Sequence, residues 1–217
     1  MIQLVGLAFL IPLTAIEARA AESNGSTGQD PTLRILDRAS AFFNSGKGDS
    51  AMVYYNRAAK LSERQKDTRG KQLEVKALLG KWSVYFFYFF DYSKAFEALA
   101  QARLISEQQA FSTAPVDFRE GLLYHALSDQ CNDEAAARLA LNNYQRAFAE
   151  SGSDTEPQTL NNMMVNYILI AHKLGRLSSV RKMWGKYEKL LGKEKSGYYQ
   201  FNKLLLEGMT AQNRRQY

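Results

Sequence analysis

A small residue, a large one four positions later and a small one three after that recur along the chain. They stand at Ala51, Tyr55, Ala58, then at Ala95, Leu99, Ala102, then at Ala140, Tyr144, Ala147. At that spacing the three side chains share one helical face, and the small ones at its ends let another helix approach closely. The leading alanines are 44 and 45 residues apart, and Val180, Trp184, Tyr187 stand at the same offsets 40 residues further on. That fourth copy is degenerate, with bulk in place of the small residues, as terminal copies of a repeat often are. Twelve and nine residues before each leading residue stand Ala39 and Phe42, Ser83 and Phe86, Ser128 and Cys131, and Ile168 and Ala171. In the first three of these pairs a small residue is followed by a larger one. The predicted unit is therefore two antiparallel helices that meet at small positions.

Boundary signals agree with that frame. Pro31 and Thr32 open the first helix, the turn Ser45, Gly46, Lys47, Gly48 closes it, and Asp49 or Ser50 caps the second. Asp91 caps the second helix of the next pair, and Asn132 or Asp133 does so in the third, with Glu134 favourably placed in the first turn. Pro115 suits the first turn of a helix running to about Gln130, and Pro157 that of one running to about Leu174. A last helix, about Ser196 to Gln212, carries Tyr198, Phe201, Leu204, Leu205 and Met209 and is expected to cover the end of the stack.

The second copy carries the fullest pattern, with Leu79, Trp82, Ser83 and Phe86 on one helix and Ala95, Leu99 and Ala102 on the next. This arrangement resembles the tetratricopeptide repeat. Asp91, Tyr92 and, in the fourth copy, Gly175, Arg176, Leu177 also resemble the family's turn. The resemblance covers roughly residues 32–191. Arg38 and Tyr167 stand where the family usually has Leu, and Glu63, Glu107, Gly152 and Gly192 replace the proline that commonly closes a repeat. The spacing also exceeds the family's period, which implies longer second helices or connections. The fold so implied is all-α, a right-handed α–α superhelix of about four helix pairs with a C-terminal capping helix.

The resemblance further implies that ligands bind on a concave face made by the first helix of each pair. Carried over position by position, that face holds Phe43 and Asn44, with Leu36 and Ser40, in the first copy. The second supplies Val84, Phe87 and Tyr88, with Gly80; the third His125, Asp129 and Asn132; the fourth His172 and Lys173, with Val165 and Leu169. Such a groove is aromatic at one end and polar at the other, which suits a protein segment, an extended peptide or a small amphipathic ligand. It lacks the Lys, Arg and Asn clamp with which the family holds a C-terminal carboxylate. The run WSVYFFYFFDY, Trp82 to Tyr92, is too aromatic for one helical stripe. It reads either as a helix buried all round or as one that packs on one face and offers rings to a ligand on another.

Composition narrows the chemistry. A net charge of +6 and a pI near 9.3 raise the question of nucleic acid. The cations are interspersed with acids, however: Arg64, Lys66, Arg69, Lys71 and Lys76 alternate with Glu63, Asp67 and Glu74, as on a solvated helix end. No nucleic-acid partner is expected. The single cysteine, Cys131, excludes an intrachain disulfide; its upstream repeat position predicts a buried, inert thiol, with a reactive or intermolecularly bridging thiol as the alternative. His125 and Asp129, four apart, have the spacing of two metal ligands or of a base and its orienter. The chain has one other histidine, no HExxH, no Cys pair, no Gly-rich phosphate loop and no serine-nucleophile motif. Neither a metal, a cofactor nor an enzymatic activity is expected.

Residues 1–20, MIQLVGLAFLIPLTAIEARA, form an apolar run ending in Ala18, Arg19, Ala20, the small-x-small form cut by signal peptidase. The stretch to Ile16 is short for a membrane span and contains Pro12. The expected organisation is a signal peptide at 1–20, a flexible leader at 21–31 and one repeat domain over 32–217, exported and periplasmic, without a membrane span after cleavage. The signal sequence, the long repeats and the phrase YFFDYSKAFEALAQA look similar to extracytoplasmic sensor portions of bacterial signalling proteins. A transmembrane helix and a regulatory or kinase module normally follow there. Here Arg214, Arg215, Gln216, Tyr217 close the sequence with neither, so a truncated relative, part of a split system and a free adaptor all remain open. The function expected is non-catalytic recognition of a protein, peptide or small ligand; a cytoplasmic regulator is the alternative if the N-terminus stays attached.

Overall fold

The computed structural model describes residues 30–192 and 197–215, the side chains of 213–215 excepted, and these residues form nine α-helices. The expected signal peptide and most of the leader lie outside the described residues. In order the helices are α1 (Pro31–Asn44), α2 (Gly48–Arg64), α3 (Thr68–Val84), α4 (Tyr92–Gln108), α5 (Ala114–Cys131), α6 (Glu134–Glu150), α7 (Pro157–Lys173), α8 (Leu177–Leu191) and α9 (Gly197–Arg215). There is no strand among the described residues. The chain divides into two compact units, with the boundary between Val116 and Asp117 in the first turn of α5, where the sequence alone suggests one repeat domain.

Short polar side chains start the helices where the donors of a first turn need acceptors. Asp30 accepts from Thr32 N (2.8 Å) with Pro31 in the first turn of α1, Asp67 from Gly70 N (2.7 Å), Asp91 from Lys94 N (3.0 Å) and Asp133 from Ala135 N (2.8 Å). Helix α2 departs from expectation: it begins at Gly48, before Asp49 and Ser50, and has no side-chain cap. The residue before it, Lys47, has no side-chain oxygen to accept from the first turn. A Cβ at position 48 would come 2.7 Å from the Tyr88 ring, so glycine lets that ring pack against the helix start.

In the first unit α1 packs on α2, α2 on α3 and α3 on α4. Ala51, Tyr55 and Ala58 of α2 and Ala95, Leu99 and Ala102 of α4 are all buried, which places each small-large-small face inside. The Tyr55 ring lies directly over Gly80 of α3, where a Cβ would overlap it, and its hydroxyl is 3.2 Å from Ser40 Oγ.

The second unit corrects the repeat register. Helices α2, α4, α6 and α8 start 44, 42 and 43 residues apart, and the residue of α6 that matches Ala51, Ala95 and Val180 is Ala137, not Ala140. The matching triplet is Ala137, Leu141, Tyr144, all buried. Because α6 buries a broad face, Ala140, Tyr144 and Ala147 are buried as well, and two overlapping triplets coexist on one helix. The correction moves the upstream positions to His125 and Ser128. It also accounts for Cys131, which is the last residue of α5 and is exposed rather than buried.

Helix α7 is buried around most of its circumference, including Asn161, Asn162 and Asn166. Buried amides need partners. Tyr187 of α8 donates to Asn161 Oδ1 (2.5 Å), and Asn202 of α9 donates to both Asn161 O and Tyr187 Oη (3.1 Å each), joining three helices. Burial pushes the Tyr187 phenol up to about 12.

The turns inside the helix pairs share one device. Gly46, Asn132 and Gly175 take positive φ (79°, 49° and 65°) after α1, α5 and α7, and the next residue's N–H returns to the helix. These bonds are Lys47 N to Phe42 O (2.9 Å), Asp133 N to Ser128 O (3.2 Å) and Arg176 N to Ala171 O (2.7 Å), a Schellman closure. After α3 the loop is one residue longer. Tyr85–Phe89 form a turn of π-helix, Asp91 N bonds to Tyr85 O (3.0 Å), and the left-handed residue is Phe90 at φ 51°.

Candidate functional site

Each unit holds one group of the residues carried over from the family. In the first, the π turn redirects the aromatic run. Tyr88 donates its hydroxyl to the carbonyl of Phe43 (2.6 Å), which also accepts from Gly46 N (3.0 Å) in the turn that closes α1. The Phe43 ring meets Tyr88 and Phe87 edge-on (5.1 and 6.1 Å), while Phe87 also packs edge-on against Phe86 and Trp82 (4.8 and 5.9 Å). Phe87 and Tyr88 are consequently half-buried. Phe43 and Val84, expected on an open face, are buried, because α1 and α3 close over them. Asn44 is exposed at the last position of α1.

The rings that reach solvent are two residues further on. Phe89 and Phe90 are 41% and 64% exposed. Tyr85 lies behind them, 6.1 Å from Phe89, with Lys94 Nζ 5.8 Å from its ring centre. Helical spacing without a π turn puts these rings on other faces, so the signal available in the sequence was only the excess of aromatics over one stripe. A bulky residue in the left-handed region is sterically unfavourable, and π turns recur at functional positions.

In the second unit His125, Asp129 and Lys173 come together. Lys173 Nζ donates to Ser128 O (2.8 Å), Ser128 Oγ (2.7 Å) and Asp129 Oδ1 (2.9 Å), so its three N–H donors tie the end of α7 to the end of α5. The other oxygen of Asp129 is 3.7 Å from His125 Nε2, and His125 Nδ1 is 3.2 Å from the Tyr144 hydroxyl on α6. With its proton on Nε2, a neutral imidazole accepts from the Tyr144 hydroxyl at Nδ1 and turns its N–H toward the Asp129 carboxylate. Burial holds the His125 pKa down, the Asp129 carboxylate opposes this and Lys173 reinforces it; the net shift is downward. Burial raises the Tyr144 phenol well above its usual range.

Tyr144 enters this group through the corrected register, because it stands where the first two pairs have Ala58 and Ala102. A Cβ at Gly121 would meet its ring at 2.5 Å, so glycine on α5 seats the tyrosine and brings its hydroxyl to His125. Asn132 does not join the cluster: its left-handed backbone closes α5, a conformation asparagine tolerates. His172 is half-buried, and its carbonyl accepts from Gly175 N (2.9 Å).

Chemically the group presents a carboxylate 43% exposed and an ammonium 30% exposed beside an imidazole whose side chain is 13% exposed. Ser128 lies against Lys173 but is fully buried, which keeps a substrate from its hydroxyl. Among the described residues no set of three or more His, Cys, Asp or Glu is placed to hold a metal ion, and no helix is long and apolar enough to cross a membrane. Comparison of the chain with protein-family models, with curated proteins and with solved structures finds no match.

Proposed function

We propose that the chain is an exported, non-catalytic recognition scaffold of tetratricopeptide type, whose helix pairs stack as a solenoid and present their first helices to a protein or peptide partner. One observation carries the reading. The leading residues Ala51, Ala95, Ala137 and Val180 are buried at one register of α2, α4, α6 and α8. A chain that repeats its packing in this way spends its sequence variation on the remaining faces, which in repeat proteins do the binding. Phe89 and Phe90, with Asn44, in the first unit, and Asp129 and Lys173 in the second, are accessible groups outside the packed faces.

A role as the sensing part of a signalling system fits this reading. Catalysis fits less well, because the Lys173 donors are all engaged and Ser128 is enclosed. Capture from a periplasmic extract tests the scaffold. Phe90→Ser and Asp129→Ala, both surface changes, should each weaken capture while the far-ultraviolet circular dichroism stays the same. Full capture by the double variant would remove these faces from consideration. Export has its own test: N-terminal sequencing of the secreted chain should begin at Ala21, and an intact Met1 would favour a cytoplasmic regulator.

A further inference from the structure

The outward side of α2 carries a stripe that packing leaves mostly uncovered, with Leu61 half-buried within it. Ala51, Tyr55, Ala58 and Ser62 turn one side of this helix into the core. On the other, Val53, Asn56, Arg57, Lys60, Leu61 and Arg64 line a depression of about 460 Å³. Val53 is 64% exposed. Arg57, Lys60 and Arg64 are exposed, and none of them forms an ion pair among the described residues.

Arg64 in the last turn of α2, and Lys60 just before it, gain from the helix's C-terminal end, yet Arg57, Lys60 and Arg64 remain like-charged neighbours on one face. Like charges three and four residues apart destabilise the helix they share. An exposed valine adds rotamer restriction and puts apolar surface in water. A carboxylate partner reverses the first cost, and apolar side chains laid on Val53 and Leu61 reverse the second.

We propose that this face of α2 docks an acidic, amphipathic segment of a partner protein, its carboxylates on Arg57, Lys60 and Arg64 and its apolar side chains on Val53 and Leu61. The stripe spans about 16 Å at 1.5 Å per residue, the length of about three helical turns or five extended residues. Asp49 stands before it on α2, and Glu63 lies beside Arg64. A phosphate or a nucleic-acid backbone would use the cations and leave Val53 in water. The face lies on a second helix, apart from the first-helix residues of the scaffold reading, and stands or falls separately.

The test is fluorescence anisotropy on the whole chain with a labelled peptide of about a dozen alternating Glu and Leu residues. An all-Glu peptide of equal length, a single-stranded oligonucleotide and phosphatidylglycerol vesicles serve as rivals. The Glu–Leu peptide should bind most tightly. Replacing Arg57, Lys60 and Arg64 together by Ala should weaken it about tenfold or more, as should Val53→Ser with Leu61→Ser. A charge-reversed chain, Arg57→Glu with Arg64→Glu, should prefer a Lys–Leu peptide. Absence of binding, equal binding by the triple alanine variant, or tighter binding to any rival overturns the proposal.

Discussion

Glycines at positions 80, 121 and 185 look alike in the sequence, each inside a helical stretch, yet the structure assigns them opposite responses to the same substitution. A Cβ on Gly80 or Gly121 meets the ring of Tyr55 or Tyr144, both buried and both hydrogen-bonded at the hydroxyl, whereas a Cβ on Gly185 meets nothing within 4 Å. Gly185→Ala should therefore stabilise by about 0.5–1 kcal/mol, the helix-interior gain of alanine. Gly80→Ala and Gly121→Ala should destabilise by about 1–3 kcal/mol, because overpacking outweighs that gain. Urea titration of the three variants checks the sign of each. Tyr88→Phe removes the bond to the Phe43 carbonyl and should cost about 0.5–1.5 kcal/mol in the same assay.

At the scale of elements, His125 joins α5 to α6 through Tyr144, beside the Lys173 bonds that join α5 to α7. The unfolded chain binds a proton at His125 near the ordinary value of 6.5, whereas the folded chain binds it only at lower pH. Stability from this group is thus complete above about 6.5 and declines as the pH falls below it. His125→Gln keeps a hydrogen-bonding group toward Tyr144 and removes the titration, so its thermal midpoint should vary less with pH over that window. An unchanged slope would place the acid sensitivity elsewhere. The helices themselves were legible in the sequence through their caps and prolines: α7 starts at Pro157 as expected, and α4 and α6 follow Asp91 and Asp133. The register of α6 was not, since Ala137, Leu141, Tyr144 and Ala140, Tyr144, Ala147 are equally good triplets and only the helix start distinguishes them. The error carried Cys131 into the core and left Tyr144 out of the polar group.

For the molecule as a whole, a chain that cannot form an internal disulfide relies on packing, and its one thiol faces solvent. Cys131 in the folded chain should react fully with a maleimide, and mild oxidation should give a covalent dimer on a non-reducing gel that Cys131→Ser abolishes. A thiol that labels only after unfolding would contradict the exposed end of α5. The all-helical fold was readable because helix pairing is written in short-range spacing. The candidate sites were only partly so, because accessibility depends on neighbours distant in sequence. Phe43 and Val84 vanish beneath adjoining helices, while Lys173 joins the local pair His125 and Asp129 from 44 residues along the chain. No local pattern announces a π turn, and with it the exposure of Phe89 and Phe90.

The four turns within the helix pairs amount to a built-in control experiment for laboratory evolution. Three are closed by residues that accept a left-handed backbone readily, Gly46, Asn132 and Gly175, and one by Phe90. Under selection for heat resistance alone, codon 90 should drift toward glycine or asparagine while the other three hold. Under selection for partner capture the phenylalanine should persist, and the difference between the two populations would show how much resilience the molecule gives up at that corner for the sake of contact.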